Sequence, residues 1–110
     1  MIEIIVKEHL ERQLQVPVYL EYPTNPPERF VVLKKADSGR DNFIDSAVFV
    51  ADSYAESMYE AAQLNSGAVA ALDSLADLDA VGKSERGGDY AFPDIKNKRY
   101  RYQAVQTVYY

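Results

Sequence analysis

Three patterns in the chain predict an α+β fold: a mostly antiparallel β-sheet with an N-terminal helix and a long central helix packed on one face. Apolar residues recur at helical spacing near the start, and several short segments then alternate apolar with polar positions. The closing stretch Lys96–Tyr110 is dense in aromatic and β-branched residues, with no Gly or Pro to break it. At 110 residues the chain fits a single domain spanning 1–110, with enough apolar content to fill one core.

Residues 2–14 read as an amphipathic helix. Ile2, Ile5, Val6, His9, Leu10 and Gln13 follow helical spacing, with Glu3, Lys7, Glu8, Glu11 and Arg12 as polar neighbours. Val16-Pro17 ends it, since proline has no N–H to donate. Val18, Leu20 and Tyr22 then alternate with Tyr19 and Glu21 as a short strand, and Pro23-Thr24-Asn25-Pro26-Pro27 makes a stiff connector. Arg29–Lys35 predicts a second strand, apolar on both faces at Phe30, Val31, Val32 and Leu33, as in a sheet covered on both sides. Ala36 to Asn42 predicts a polar loop. Phe43–Asp52 is the third strand, with Ile44, Val48 and Val50 on one side and Phe43, Ala47, Phe49 and Ala51 on the other. The second and third strands should form a hairpin.

Ser53 and Glu56 match the S-x-x-E capping box, which predicts a helix from Tyr54 to Leu78. Its apolar stripe is Ala55, Met58, Tyr59, Ala62, Val69, Leu72, Leu75 and Ala76. Gly67 beside Asn65-Ser66 costs about 1 kcal/mol relative to Ala inside a helix, which predicts a kink or two short helices divided near Asn65. Asp79–Ala91 predicts a weak strand turning through Arg86-Gly87-Gly88-Asp89. The closing strand sets Tyr100, Tyr102, Ala104, Gln106, Val108 and Tyr110 on one face, with Arg99, Arg101, Gln103, Val105, Thr107 and Tyr109 on the other.

Composition narrows the function classes. The absence of Cys removes disulfides, thiolate zinc sites and thiol nucleophiles together. Glu3, Lys7 and Glu8 interrupt any leader-like apolar region, and no stretch is apolar enough to span a membrane, so an intracellular product is expected. Arg and Tyr in the closing strand could suit nucleic acid, but alternation points the arginines and the first tyrosines opposite ways. A net charge of -5 also disfavours a sequence-reading DNA protein.

Nothing in the chain spells out an enzyme. His9 is the only histidine, so any nucleophile-plus-His site would have to be built around it; a structural or surface role is expected instead. Asp73, Asp77 and Asp79, with Glu56 and Glu60, imitate a carboxylate metal site but lack a Glu-x-x-His partner and an EF-hand pattern, so they read as a solvated helix face. The Gly87-Gly88 pair lacks phosphate-loop spacing. No catalytic, cofactor or metal residue is therefore expected. Arg40, Asp41 and Asn42 in one connector, and Lys83, Arg86 and Asp89 in the other, are the candidate residues for a subunit or partner interface.

Taken in order, five segments resemble the small tail-completion or tail-terminator proteins of long-tailed bacteriophages. They are Met1–Leu10, Val16–Glu21, Pro27–Lys35, Ser53–Ala62 and Lys98–Val105. The resemblance implies a structural virion protein, without enzymatic activity or cofactor, assembled in the bacterial host cytoplasm. It implies a self-assembled ring, usually hexameric, that caps the tail tube and joins it to the connector, as head–tail joining or minor capsid proteins do. Tail-tube and connector proteins would be its partners, with DNA passing through as non-specific cargo and no membrane contact. A lumen lined by carboxylates would repel phosphate and keep that DNA mobile. The alternative is a small intracellular α+β adaptor or regulatory domain that binds one protein partner through its tyrosine-rich sheet.

Overall fold

The computed structural model describes residues 1–110. The elements are α1 (Ile2–Leu14), β1 (Val18–Tyr19), β2 (Phe30–Asp41), β3 (Ile44–Ala55), α2 (Met58–Asp73), a 3-10 turn (Ser74–Asp77), β4 (Lys83–Ala91) and β5 (Tyr100–Tyr109). They follow the expected order. One sheet orders the strands β1-β2-β3-β5-β4, and only the β1–β2 pair is parallel. Both helices cover the same face, giving the expected α+β architecture.

Alternation along the strands decides what each face carries. Val31, Leu33, Ala47, Phe49, Ala51, Ala104 and Val108 point under the helices, where they meet Val6 and Leu10 of α1 and Leu72 of α2. Phe30 and Val32 point the other way and make a second small core with Tyr54, edged by Tyr19 and Tyr22. The start of β2 is thus buried on both faces, as its unbroken apolar run requires. Phe30 and Tyr54 stack with ring centroids 4.6 Å apart and planes 2° from parallel. α1 ends at Gln15 in the left-handed conformation (φ 56°), its N–H donating to the Glu11 carbonyl at 2.9 Å, with Val16-Pro17 following.

Besides the shortening of the first strand to Val18–Tyr19, without Leu20 and Tyr22, four local features differ from the sequence expectation. Ala36 to Asp41, expected as loop, continue β2, and only Asn42-Phe43 turn the chain. Both have positive φ, 50° and 67°, the two-residue geometry whose twist matches the flanking strands. Phe43 therefore sits in the turn, outside β3. Helix α2 starts from Ser57, not Ser53: Ser57 Oγ accepts the Glu60 N–H at 3.1 Å. The same S-x-x-E pattern recurs four residues on, and ladder pairing of Tyr54 with Phe30 and of Ala55 with Tyr100 holds Ser53–Ala55 in β3.

The third difference is that α2 runs through Asn65 and Gly67 as a single helix and gives way at Asp73 to the 3-10 turn. A helix interior tolerates this glycine because α1 packs there. Finally, Arg86-Gly87-Gly88-Asp89 is not a turn but a bulge within β4, opposite Gln106 to Ala104. A Cβ on Gly87 would lie 3.0 Å from Val105 Cβ and from its carbonyl oxygen, so the glycine permits close backbone approach.

Candidate functional site

The long β2–β3 hairpin carries three of the candidate interface residues to one end of the sheet. Arg40, Asp41 and Asn42 are exposed there, and Arg40 lies 3.7 Å from Asp45 with its guanidinium 5.8 Å from the Phe43 ring centre. Phe43 itself is 89% exposed and Ile44 54% exposed. Positive φ on a bulky residue costs about 1–2 kcal/mol, and solvent exposure of the ring adds no packing in return.

The end of β5 meets this tip. Asp45 and Tyr110 exchange backbone hydrogen bonds of 2.8 and 3.2 Å, and the Gly82 N–H donates to the Tyr109 carbonyl at 2.8 Å. Phe43, Ile44, Gly82, Lys83, Tyr109 and Tyr110 consequently line a mostly apolar groove of about 560 Å³. Lys83 joins it with its ammonium 5.7 Å from the Tyr109 ring centre and 3.4 Å from Glu85. The structure thus brings Arg40, Asp41, Asn42 and Lys83 to one end. The apolar members of that groove were missed; the signal was Phe43-Ile44 directly after Asn42, at a hairpin tip.

Arg86 and Asp89 lie elsewhere, at the seam between β4 and α2. Arg86 Nε and Nη2 both contact Asp73 Oδ2, at 2.7 and 2.6 Å, and Asp89 Oδ2 accepts from Asn65 Nδ2 at 2.7 Å. The Arg86 hydrogen bond holds the Asp73 carboxyl below its ordinary value against the effect of burial, with Gln106 assisting. Both residues therefore have internal partners. Asn65, Ser66, Arg86, Asp89 and Tyr102 contribute to a polar pocket of about 340 Å³, and the buried Asn65 Oδ1 has no hydrogen-bond partner.

The opposite end of the sheet is locked by charge. Arg101, on the face away from the helices, sits over the Phe92 ring at 4.3 Å and donates to Tyr54 OH at 3.2 Å. Its Nη1 is 4.0 Å from Asp52 and 3.9 Å from Asp94, both buried, while Lys34 Nζ reaches Asp52 at 3.1 Å. Burial pushes the Tyr54 phenol up to about 12, although Arg101 opposes this. Burial would also raise Asp94, but hydrogen bonds from Asn97 and Tyr54 and the Arg101 charge hold it below its ordinary value.

His9 is buried between the helices, its Nε2 3.0 Å from the Ala71 carbonyl and 2.7 Å from Ser74 Oγ. It tethers α1 to the end of α2. No group of three or more His, Cys, Asp or Glu side chains is placed to share a metal ion. No helix is long and apolar enough to cross a membrane. No protein-family model and no curated protein sequence matches this chain.

Proposed function

We propose that this chain is a structural subunit of a long-tailed bacteriophage. It forms a ring, six-membered by the resemblance described above, that stops the tail tube and joins it to the connector, with DNA passing through the hole. The observation that carries this reading is the hairpin tip: Phe43 and Ile44 expose apolar surface beside Tyr110 on a sheet fixed by long ladders. An exposed aromatic in a left-handed turn is expensive for an isolated domain and useful to one that docks. The elongated body, 43 × 24 × 24 Å, holds that tip far from the Arg101 network at the other end of the sheet. A net charge of -5 suits a subunit that DNA must pass without sticking.

Micrographs of particles from a deletion strain test this. Packaged capsids with unjoined or overlong tails are expected; normal-length, capsid-attached tails would overturn it. The same exposed groove also suits the adaptor reading, in which a single protein partner covers Phe43. That reading expects normal particles without the protein and a soluble partner that dissociates when Phe43 is replaced by Ser.

A further inference from the structure

The sheet has two free edges. β1 pairs with β2 only at Val31 and Val32, which leaves Leu33–Asp41 open, and β4 pairs with β5 alone. We propose that copies of this chain join head-to-tail by pairing Leu33–Asp41 of one copy with β4, Lys83–Ala91, of the next. This rests on the ring-forming reading and names the surface that closes the ring.

Strand polarity permits it. β2 runs antiparallel to β3, β3 to β5 and β5 to β4, so β2 and β4 of one copy run in opposite directions. Copies set side by side in the same orientation therefore bring β4 antiparallel to the neighbour's β2. The two surfaces differ, so the contact is heterologous and propagates until rotation closes it. Added backbone hydrogen bonds supply affinity, as in other strand additions.

Charge selects the register. Asp41 and Lys83 lie on the face away from the helices, since Lys83 pairs with Tyr109, Tyr109 with Ser46, and Asp41 with Ile44 two residues from Ser46. Lys35 and Asp89 lie on the helix face by the same tracing, through Phe49 and Gln106 for one and Ala104 for the other. Setting Asp41 opposite Lys83 of the neighbour also sets Lys35 opposite Asp89, so both pairs are of opposite charge and matching face. The bulge at Ala36 then falls against the Gly87-Gly88 bulge. Sliding the neighbour by two residues instead places Asp37 against Glu85, a repulsive pair.

One further observation fits this register. A groove of about 480 Å³, lined by Glu3, Leu20, Leu33, Lys34 and Lys35, opens along β2 just past β1 and would take the neighbour's Tyr90-Ala91.

The chain has no cysteine, so a disulfide reads the register directly. Gly39→Cys with Glu85→Cys on one chain places the thiols on strands separated by β3 and β5, about 14 Å apart by strand spacing and beyond disulfide reach within a copy. Oxidation of purified protein with a normal thermal melt is expected to give a ladder of covalent multimers. Gly39→Cys with Lys83→Cys, which reads the register two residues away, should give at least about tenfold less. Asp41→Lys should abolish the ladder, and adding Lys83→Asp should restore it. Monomer alone from folded Gly39/Glu85 protein, or a stronger ladder from the Gly39/Lys83 pair, overturns the proposal. Multimers together with normal tails in the deletion strain would remove the head–tail reading and leave edge pairing standing; unjoined tails without multimers would do the reverse.

Discussion

Gly67 of α2 faces Leu14 of α1 so closely that a Cβ on the glycine would stand 3.0 Å from Leu14 Cδ2. The glycine is there for helix–helix contact, and α2 runs through it unbroken; its buried face is Ala61, Asn65, Ala68, Ala71 and Leu72, whereas Tyr59 of the expected stripe is exposed and Ala55 belongs to β3. Gly67→Ala gains about 1 kcal/mol of helix propensity but must displace a leucine methyl. The two effects should nearly cancel in the natural background. In a Leu14→Ala background, the same substitution should stabilise by about 1 kcal/mol; equal effects in both backgrounds, measured by urea unfolding, would show that Leu14 does not restrict the site.

Leu72 is fully buried between α2 and the sheet. Leu72→Asp places an unpaired carboxylate in that layer, and the expected result is loss of a cooperative thermal transition by circular dichroism. A melt like that of the unchanged protein would contradict the packing of α2 on the sheet.

Phe43→Gly replaces a strained, exposed aromatic with the residue that the turn geometry favours. Stability should rise by about 1 kcal/mol, or roughly 4–8 °C in melting temperature for a domain of this size. Assembly should suffer at the same time, since the groove loses its most exposed wall. A variant both less stable and fully competent in joining would count against the role given to the tip.

Arg101 lies between two buried carboxylates, so Arg101→Met leaves Asp52 and Asp94 without their shared cation. Removing one partner of a buried ionic cluster typically costs about 3–5 kcal/mol. Chemical denaturation should show a loss of that order, larger than for Arg40→Met at the exposed tip.

Burial lowers the His9 imidazole pKa, and the Ala71 carbonyl only partly offsets this. The folded value lies below the unfolded one, about 6.5, so the unfolded chain takes up the proton first as pH falls. Stability from this residue is complete above that pH and is lost as pH drops through it toward the folded value. His9→Gln should remove this part of the pH dependence, while the carboxylate-linked loss below about pH 4 remains. An unchanged stability profile between pH 7 and 5 in the variant would refute the assignment.

Long periodic signals were legible in the sequence. The helix spacing of Val6, His9 and Leu10, the two-sided burial of Phe30–Leu33 and the alternation of Ala104, Gln106 and Val108 all translate directly into core positions. Where local chemistry competed with pairing, pairing prevailed. Polar Ser38, Gly39 and Arg40 look like loop, yet β3 extends a ladder to them. Ser53 matches a cap as well as Ser57 does, and only the reach of β3 and β5 decides between them. The candidate site was half legible: polar connectors pointed to the tip and to β4. The internal ion pair of Arg86 with Asp73 and the meeting of Phe43 with Tyr110 depend on contacts distant in sequence, for which no local pattern exists.

The strand order carries a consequence for synthesis. β5 is interior to the sheet but follows every other element in the chain, and β4 has no neighbour except β5. As the chain emerges from a ribosome, α1 through α2 can collapse while the flank of β3 stays unpaired, and β4 emerges with no strand to pair with, held only by side-chain contacts to α2. Insertion of β5 then zips both sides at once. A transcript cut short after Ala91 would therefore yield a product with an open apolar flank at Ala47, Phe49 and Ala51, prone to stick to its own kind before quality control removes it.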